Sequence, residues 1–453
     1  MPSSARCSRA APRRHGLRPL LLLGAGGALL LVPGCRGDEE APDPWSREWN
    51  VLLVTLGSVG ADRLGCYGNE EAHTPRLDEL AARGVRFERA LSPSALAPVS
   101  QASLLSGELP NQHGLRGLRP AEGHLPRPGL QPLPHRLQAR GWRTAAFVSA
   151  YTLSEDFGLD RGYQHFSSGM RGDVVRRAQR RGDETTDQAL TWLEEYGDEG
   201  PWHLWVHYSD AHDRALVPPD DFRPETGVDL DEAGLELAFV DQQVARLLEH
   251  LETSGQEEST VVVVVGLHGR RRLDLAGDPG WSPADALAEE ALRVPWILRW
   301  PEGPRGEVVP ELVGTVDLLP TLLEVLELEE TRTRGGSSVL PLLRGQLDEP
   351  RLVHAEDPGP TPATSDDRRC LRSRRYELVQ ESGDPESAVL YDRELRPGER
   401  VPVEGEEPAE AARLRRALVG RGASAAESRR TSGDAPDREL LSELGYGGPL
   451  VTD

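Results

Sequence analysis

Residues 50–58 read Asn-Val-Leu-Leu-Val-Thr-Leu-Gly-Ser, a short apolar run that ends in a glycine. Four to eight consecutive apolar residues bounded by a turn signal are typical of a strand that is buried on both faces. Residues 261–265 form a second run of this kind, five valines that are also followed by a glycine. The two runs predict two buried strands of a sheet.

Helical segments alternate with strands along the chain. Thr74 and Pro75 open one helix, with Thr74 as the N-cap residue and Pro75 in the first turn, and Gly84 ends it. An alternation of strands and helices predicts a mostly parallel sheet with helices on both faces. We therefore predict an α/β fold with a large, mostly parallel sheet flanked by helices. The other predicted elements are helices at 133–140, 184–195 and 235–251 and strands at 144–149 and 202–208.

Several polar residues follow the predicted strands at their carboxyl ends. In an open α/β sheet, ligands bind in the crevice beyond these ends. The pattern places Gly57 and Ser58, residues 207–212 and residues 266–268 at one rim of the sheet. This rim is the predicted functional site.

The composition changes after about Arg344. Pro, Gly, Asp and Glu dominate residues 346–369, and short antiparallel strands are predicted at 376–379 and 389–391. Residues 409–418 have a helical pattern with a proline just before them. We predict an α/β domain over residues 49–345 and a smaller C-terminal α+β subdomain over residues 346–453.

The charge and residue usage of the chain exclude several classes of protein. The 453 residues include 52 Lys+Arg and 74 Asp+Glu, which gives a net charge of −22. Nucleic-acid binding requires a basic surface, so no nucleic-acid partner is expected. The sequence contains no lysine, so no lysine can act as a nucleophile or base. Cys7, Cys35, Cys66 and Cys370 are too few and too scattered for a disulfide framework or a zinc cluster.

The amino-terminal segment has the pattern of an export signal. Five arginines precede an apolar run at residues 20–31, and Val-Pro-Gly-Cys follows, ending at Cys35. A spanning helix needs about 20 apolar residues, so a signal peptide over residues 1–35 is the better interpretation. The sequence before Cys35 resembles a bacterial lipobox, which predicts a lipid-anchored protein of the cell envelope with residues 36–48 as a polar tether. The alternative is an ordinary signal peptide and a periplasmic or secreted protein.

Collinear segments of the chain resemble the sulfatase family of the alkaline phosphatase superfamily. Residues 50–68 (NVLLVTLGSVGADRLGCYG) are similar to that family's first strand, metal-binding turn and ADxLGCYG segment. Residues 97–107 lie over the signature C/S-x-P-S-R-x-x-L-L-T-G, residues 205–212 over WVHYxDPH, and residues 260–269 over the strand that ends in SDHG or ADNG. The resemblance implies the family's fold and, as an expectation, the hydrolysis of sulfate esters.

The resemblance also implies a nucleophile position. The family oxidises a Cys or Ser to formylglycine, and its hydrate attacks the sulfur of the ester. That position is Ala97, which has no group to oxidise or to attack with. The proline of the signature is Val99, and its arginine is the neutral Gln101. A shifted register would make Ser94 or Ser100 the nucleophile, but we favour Ser100 as the cap of the following helix.

The metal site implied by the resemblance has also changed. The family holds a divalent cation, usually calcium, with oxygen ligands. The corresponding positions are Gly57 and Ser58 after the first strand and Leu267 and His268 after the later one. Since Ser58 and His268 alone cannot hold a hard dication, we expect neither calcium nor formylglycine. His212 matches the substrate-side histidine of the family.

Several polar residues of the rim allow two interpretations. His212 and His268 are either remnants of the family's site or residues that still bind an anion. Arg270 and Arg271, together with His113, are candidates for binding an anion. The alternative for the two arginines is a solvated loop. His207, which alternates with apolar residues, is interpreted as structural.

These changes predict a catalytically inactive, exported sulfatase-like protein that acts as a binding or scaffold module. Its expected partner is a sulfated glycan or an active sulfatase relative, although a net charge of −22 opposes the attraction of a polyanion. A structural envelope lipoprotein is a third possibility. The alternative enzyme would hydrolyse sulfuric or phosphoric esters through a rebuilt site, with zinc as a possible metal. Its candidate residues are Ser58, Asp62, Ser100, His212 and His268.

Overall fold

The computed structural model describes most of the predicted domains. The described residues are 48–117, 125–168, 180–211, 216–225, 227, 229–269, 286–328, 332–346, 350–357, 368–380, 387–395, 401–403 and 405–422. Outside them lie Cys35, the predicted signal peptide, the predicted tether up to residue 47, His212, Arg270 and Arg271. Among the helices in these ranges, none has both the length and the apolar character needed to span a bilayer.

The large sheet has the strand order β4-β3-β5-β1-β6-β8-β2-β7, and β9 pairs with β2. Pairing is parallel from β4 through β6, whereas β8 runs antiparallel to both β6 and β2. The predicted large, mostly parallel sheet is therefore confirmed. The strands are β1 (Asn50–Leu56), β2 (Val85–Leu91), β3 (Arg143–Val148), β4 (His165–Ser167), β5 (Trp202–Tyr208), β6 (Thr260–Gly266), β7 (Arg293–Val294), β8 (Trp296–Arg299) and β9 (Glu307–Gly314).

Helices cover both faces of this sheet. Along β1, Val51 and Leu53 point into one hydrophobic cluster, and Leu52 and Val54 point into the other. This alternation follows from the two-residue period of a strand. Because both faces are covered, every residue of β1 is buried. The helices are α1 (Pro75–Ala82), α2 (Ala97–Ser106), α3 (Pro110–His113), α4 (Leu133–Gln138), α5 (Gly182–Tyr196), α6 (Glu232–Thr253), α7 (Glu289–Leu292), α8 (Leu318–Val325) and α9 (Leu340–Leu343).

The start of α1 differs from its prediction in one respect. Thr74 occupies the N-cap position, but its hydroxyl accepts the Gly65 N–H and donates to the Asp78 carboxylate instead of capping the helix. The cap comes from α6, where Asp241 accepts the N–H groups of Arg76 and Leu77 at 3.1 and 2.9 Å. A tertiary contact therefore satisfies the backbone donors that the local sequence leaves open.

A second, antiparallel sheet follows α9, in the order β10-β11-β12-β13-β14. One of its faces packs against Leu91 and Leu312 of the large sheet, and the other packs against α10. The predicted α+β character of this part is confirmed, although no strand was predicted where β10 lies. The elements are β10 (Val353–Asp357), β11 (Arg368–Arg372), β12 (Tyr376–Gln380), β13 (Val389–Asp392), β14 (Val401–Pro402) and α10 (Pro408–Gly422).

Candidate functional site

The rim of the large sheet is formed by the ends of three adjacent parallel strands. The Gly57 N–H donates to the Tyr208 carbonyl at 2.8 Å, which joins the end of β1 to β5. The Leu267 N–H donates to the Leu56 carbonyl at 3.0 Å, which joins it to β6. These bonds place Ser58 Oγ 3.4 Å from His268 Nε2. The structure thus brings together the strand-end residues of β1 and β6 that the sequence assigned to one rim.

Ser58 has a strained backbone. Its φ of +52° lies in the left-handed region, which among the described non-glycine residues only Glu327 also occupies. A side chain in that region costs about 1–3 kcal/mol and persists only where the surrounding structure imposes it. Two backbone hydrogen bonds hold the chain just before Ser58. The Gly57 N–H donates to Tyr208 in β5, and the Leu56 carbonyl accepts the Leu267 N–H after β6.

The tautomer of His268 follows from its neighbour. Its Nδ1 lies 2.8 Å from the carbonyl oxygen of Gly269. Because a carbonyl only accepts, Nδ1 carries the proton, and in the neutral ring Nε2 is an acceptor. The Ser58 hydroxyl therefore donates to His268 Nε2. Both residues are buried, with exposed fractions of 4% and 1%.

His207 lies at this rim, as its predicted place at the end of a strand indicates. The Trp205 indole N–H donates to Thr55 Oγ1 at 2.8 Å, and the same oxygen lies 2.8 Å from His207 Nδ1. The opposite edge of the ring faces Gly57, where an added Cβ would lie 3.4 Å from His207 Nε2. The pairing of β1 with β5 adds the contact between His207 and Thr55, which the sequence did not predict.

The matched nucleophile position lies in the hydrophobic core. Ala97 is the first residue of α2, and it belongs to the same cluster of buried apolar side chains as Leu267. The prediction that Ser100 caps this helix is wrong, because Ser100 lies in its first turn. Its hydroxyl donates to the Ser94 carbonyl at 2.6 Å and lies 2.8 Å from Ser92 Oγ.

Gln101, at the matched arginine position, is fully buried. Among the described residues, neither the oxygen nor the nitrogen of its amide has a hydrogen-bond partner. A buried polar group without a partner costs about 1–3 kcal/mol. The neutral amide therefore brings neither a positive charge nor a compensating internal bond to this position.

The residues at the matched metal positions do not fit a calcium ion. Gly57 offers no side-chain oxygen, and a Cβ there would lie only 3.3 Å from the Ser209 Cα and the Tyr208 carbonyl. Leu267 is buried among apolar side chains. Ser58 and His268 leave one hydroxyl and one imidazole, whereas calcium takes six to eight oxygen ligands. Within the described ranges, no group of three or more His, Cys, Asp or Glu side chains is placed to hold a metal.

His113 has a structural position between α2 and the chain after α3. Its Nδ1 accepts the Leu115 N–H at 3.1 Å, so Nε2 carries the proton and donates to Ser103 Oγ at 2.8 Å. Burial disfavours the charged ring and lowers the pKa of His113 to about 3. Protein groups occupy both ring nitrogens of a neutral side chain, so the geometry does not favour the anion binding expected of His113.

Three other residues singled out by the sequence have local roles. Asp210 accepts the Gly182 N–H at 2.8 Å at the start of α5, and burial raises the pKa of its carboxyl to about 7. Burial, with the nearby Asp78, raises the pKa of the Cys66 thiol to about 12, which makes it a poor nucleophile. Asp62 is an exposed residue of the turn Ala61–Arg63.

Comparisons with known proteins agree with the fold. The profile of the family described as Sulfatase matches residues 49–328, and the profile described as N-sulphoglucosamine sulphohydrolase, C-terminal, matches residues 277–419. Human Arylsulfatase D is 24% identical and aligns over 78% of this chain and 76% of its own length. The N-acetylgalactosamine-6-sulfatase of Canis lupus familiaris is 25% identical, over 76% and 73% respectively.

A solved structure shows the same fold. The phosphonate monoester hydrolase SpPMH from Silicibacter pomeroyi superposes with a TM-score of 0.65 at 20% identity, covering 85% of this chain and 100% of that one. At this identity the likeness concerns the fold and not the reaction. With a family profile over more than half of its length and the sheet order described above, the chain belongs to the sulfatase family.

Proposed function

We propose that this member of the sulfatase family has lost the sulfatase reaction and acts as a binding or scaffold protein. One observation carries the proposal. Ala97 and Leu267, at the positions of the family's nucleophile and of one metal-binding carboxylate, lie in one cluster of buried apolar side chains. A core position excludes water and ions, so neither formylglycine chemistry nor calcium is expected here.

The charge of the site supports the same proposal. Sulfate-ester hydrolysis needs positive charge where negative charge develops, and preorganised groups of this kind usually contribute most to catalysis. At the matched positions this chain has the neutral Gly57 and Gln101, and it contains no lysine. Gln101 is buried, so the missing charge would also be hard to supply from solvent.

Of the two expected partners, the net charge of the chain opposes the sulfated glycan and does not bear on an active sulfatase relative. A net charge of −22 repels a sulfated glycan at long range, so a glycan partner would need a local basic surface. Export and lipid anchoring at Cys35 stay part of this proposal. Cys35→Ser should move the protein from the membrane fraction to the soluble fraction, and unchanged membrane attachment would contradict the anchor.

The test combines turnover with metal content. The purified protein is incubated with 4-nitrophenyl sulfate and sulfated monosaccharides in the presence of calcium, magnesium or zinc, and bound metal is measured after dialysis. We expect no turnover and no stoichiometric metal. Sulfate release that Leu267→Asp or Gln101→Ala alters would overturn the proposal. Ala97→Ser is expected to stay inactive, because the metal carboxylates are missing as well.

A second candidate function, hydrolysis through a rebuilt site, is favoured by a separate observation. The His268 ring presents an acceptor nitrogen to the Ser58 hydroxyl, which is the tautomer that a general base needs. This candidate does not require formylglycine or calcium. It is therefore compatible with the loss of the sulfatase reaction.

A further inference from the structure

From this geometry we infer that Ser58 is a nucleophile activated by His268, and that the rim carries out serine-dependent hydrolysis of uncharged carboxylic esters. The inference rests on the second candidate function above and is independent of the first. The family resemblance assigns Ser58 and His268 to metal binding, whereas here they take part in a different reaction.

The position of Ser58 suits a nucleophile. It follows β1, which lies between β5 and β6, so its hydroxyl stands at the carboxyl end of adjacent parallel strands. Its φ of +52° places it on a sharp bend directly after the strand. A serine on a strained bend after a strand is a recurrent way to present a nucleophile at the end of a sheet. Strain in a residue other than glycine persists where the fold imposes it.

The position of His268 suits the base. The Gly269 carbonyl holds the proton on Nδ1, so the lone pair of Nε2 points to Ser58 Oγ. The same carbonyl stabilises the imidazolium once Nε2 takes up a proton. A separation of 3.4 Å is long for a hydrogen bond, but catalytic bonds are often long before substrate binds.

The surroundings select an uncharged substrate. The described residues that directly precede the pair, Gly57 and Leu267, are neutral and buried. A sulfate or phosphate ester would bring a formal charge next to these neutral groups, and desolvating an unpaired charge is costly. A carboxylic ester has no formal charge in its ground state, so this cost does not arise.

The reaction proceeds in two balanced halves. Ser58 Oγ attacks the ester carbonyl, a carbon–oxygen bond forms, and the hydroxyl proton passes to His268 Nε2. The bond to the alcohol breaks as the same proton moves to the departing oxygen, which leaves an acyl group on Ser58. Water then attacks this acyl group, with His268 again as the base. The carboxylic acid departs and Ser58 recovers its proton.

The chain contains a matched control in Ser103 and His113. Their side chains are closer, at 2.8 Å, but the Leu115 N–H occupies Nδ1 and forces the proton onto Nε2. The ring therefore donates to Ser103 and cannot accept its proton. If proximity alone activated a serine, Ser103 would be the more reactive of the two.

The experiment is covalent labelling of the intact protein with diisopropyl fluorophosphate, followed by peptide mass spectrometry. Because Ser58 and His268 are 4% and 1% exposed, a small probe is required. Serine oxygen bonds to phosphorus, fluoride leaves, and His268 takes the proton. We expect one adduct, on Ser58. It should be absent in Ser58→Gly, unchanged in Ser103→Ala, and formed roughly 100-fold or more slowly in His268→Gln, since general bases contribute about 10²–10⁴-fold.

Ser58→Gly is the preferred variant because glycine adopts a positive φ without strain, so the protein should stay folded. An adduct on another serine, an equal rate in His268→Gln, or no adduct on the folded protein would each overturn the inference. Sulfate turnover in the separate assay would instead overturn the first proposed function.

Discussion

Two buried serine–histidine pairs among the described residues differ in which partner donates. In the rim pair, Ser58 and His268, the ring nitrogen facing the serine is an acceptor. In the interior pair, Ser103 and His113, it is a donor. The distance from the serine Oγ to the histidine Nε2 is 2.8 Å in the interior pair and 3.4 Å in the rim pair. Nevertheless, of these two pairs only the rim pair has the tautomer of a general base. The partner of the remote ring nitrogen decides the chemistry, and the distance does not.

The largest expected effect concerns the interior pair. His113→Ala should lower the free energy of unfolding by about 3 kcal/mol, because it leaves a cavity and removes the partners of Ser103 Oγ and the Leu115 N–H. Urea unfolding measures the change. His268→Ala should lower the free energy of unfolding by less, because the ring lies in a turn at the carboxyl end of β6. An equal or larger loss in His268→Ala would contradict the division into an interior and a rim pair.

The second effect is the acid sensitivity of the interior pair. Burial lowers the pKa of His113 to about 3, below the value of about 6.5 for an unfolded chain. Between these values the unfolded state binds the proton and the folded state does not, so stability is lost as the pH falls through this window. The slope is about 1.4 kcal/mol per pH unit. Unfolding curves between pH 7 and pH 4 should show it, and His113→Gln should remove this contribution. An unchanged slope in that variant would contradict a neutral, buried ring.

The third effect is a gain in stability at the rim. Ser58→Gly should raise the free energy of unfolding by about 1 kcal/mol, because glycine adopts the left-handed region without the cost that a side chain brings. Thermal unfolding compares it with Ser103→Gly, which should destabilise by about 1 kcal/mol because it places a glycine inside α2. A loss of stability in Ser58→Gly would show that the serine hydroxyl contributes more than its backbone strain costs.

The last prediction needs no substitution. The chemical shifts of the ring nitrogens, measured by NMR on the unaltered protein, report the tautomer of each histidine. His268 should carry its proton on Nδ1, and His113 should carry its proton on Nε2. Protonated and unprotonated ring nitrogens have well-separated shifts, and the two rings should show opposite patterns. The same tautomer in both rings would remove the difference between the two pairs.

Much of the fold could be predicted from local sequence. The strand predicted at 202–208 has the bounds Trp202–Tyr208, because an apolar run between turn residues limits a strand directly. The antiparallel β8 and the strand β10 were not predicted. Each contains only four or five residues, which is too short for periodicity or composition to mark it.

The sequence by itself determined the membership of the sulfatase family and the α/β architecture, because these depend on residue identity and order. Only the tertiary structure decided which groups meet. The positive φ of Ser58, the backbone bonds that set the tautomers of His268 and His113, and the contact of His207 with Thr55 appear only in the folded chain. The residue type sets which donor and acceptor roles a side chain can take, and its hydrogen-bond partners decide which of these roles it has in the folded protein.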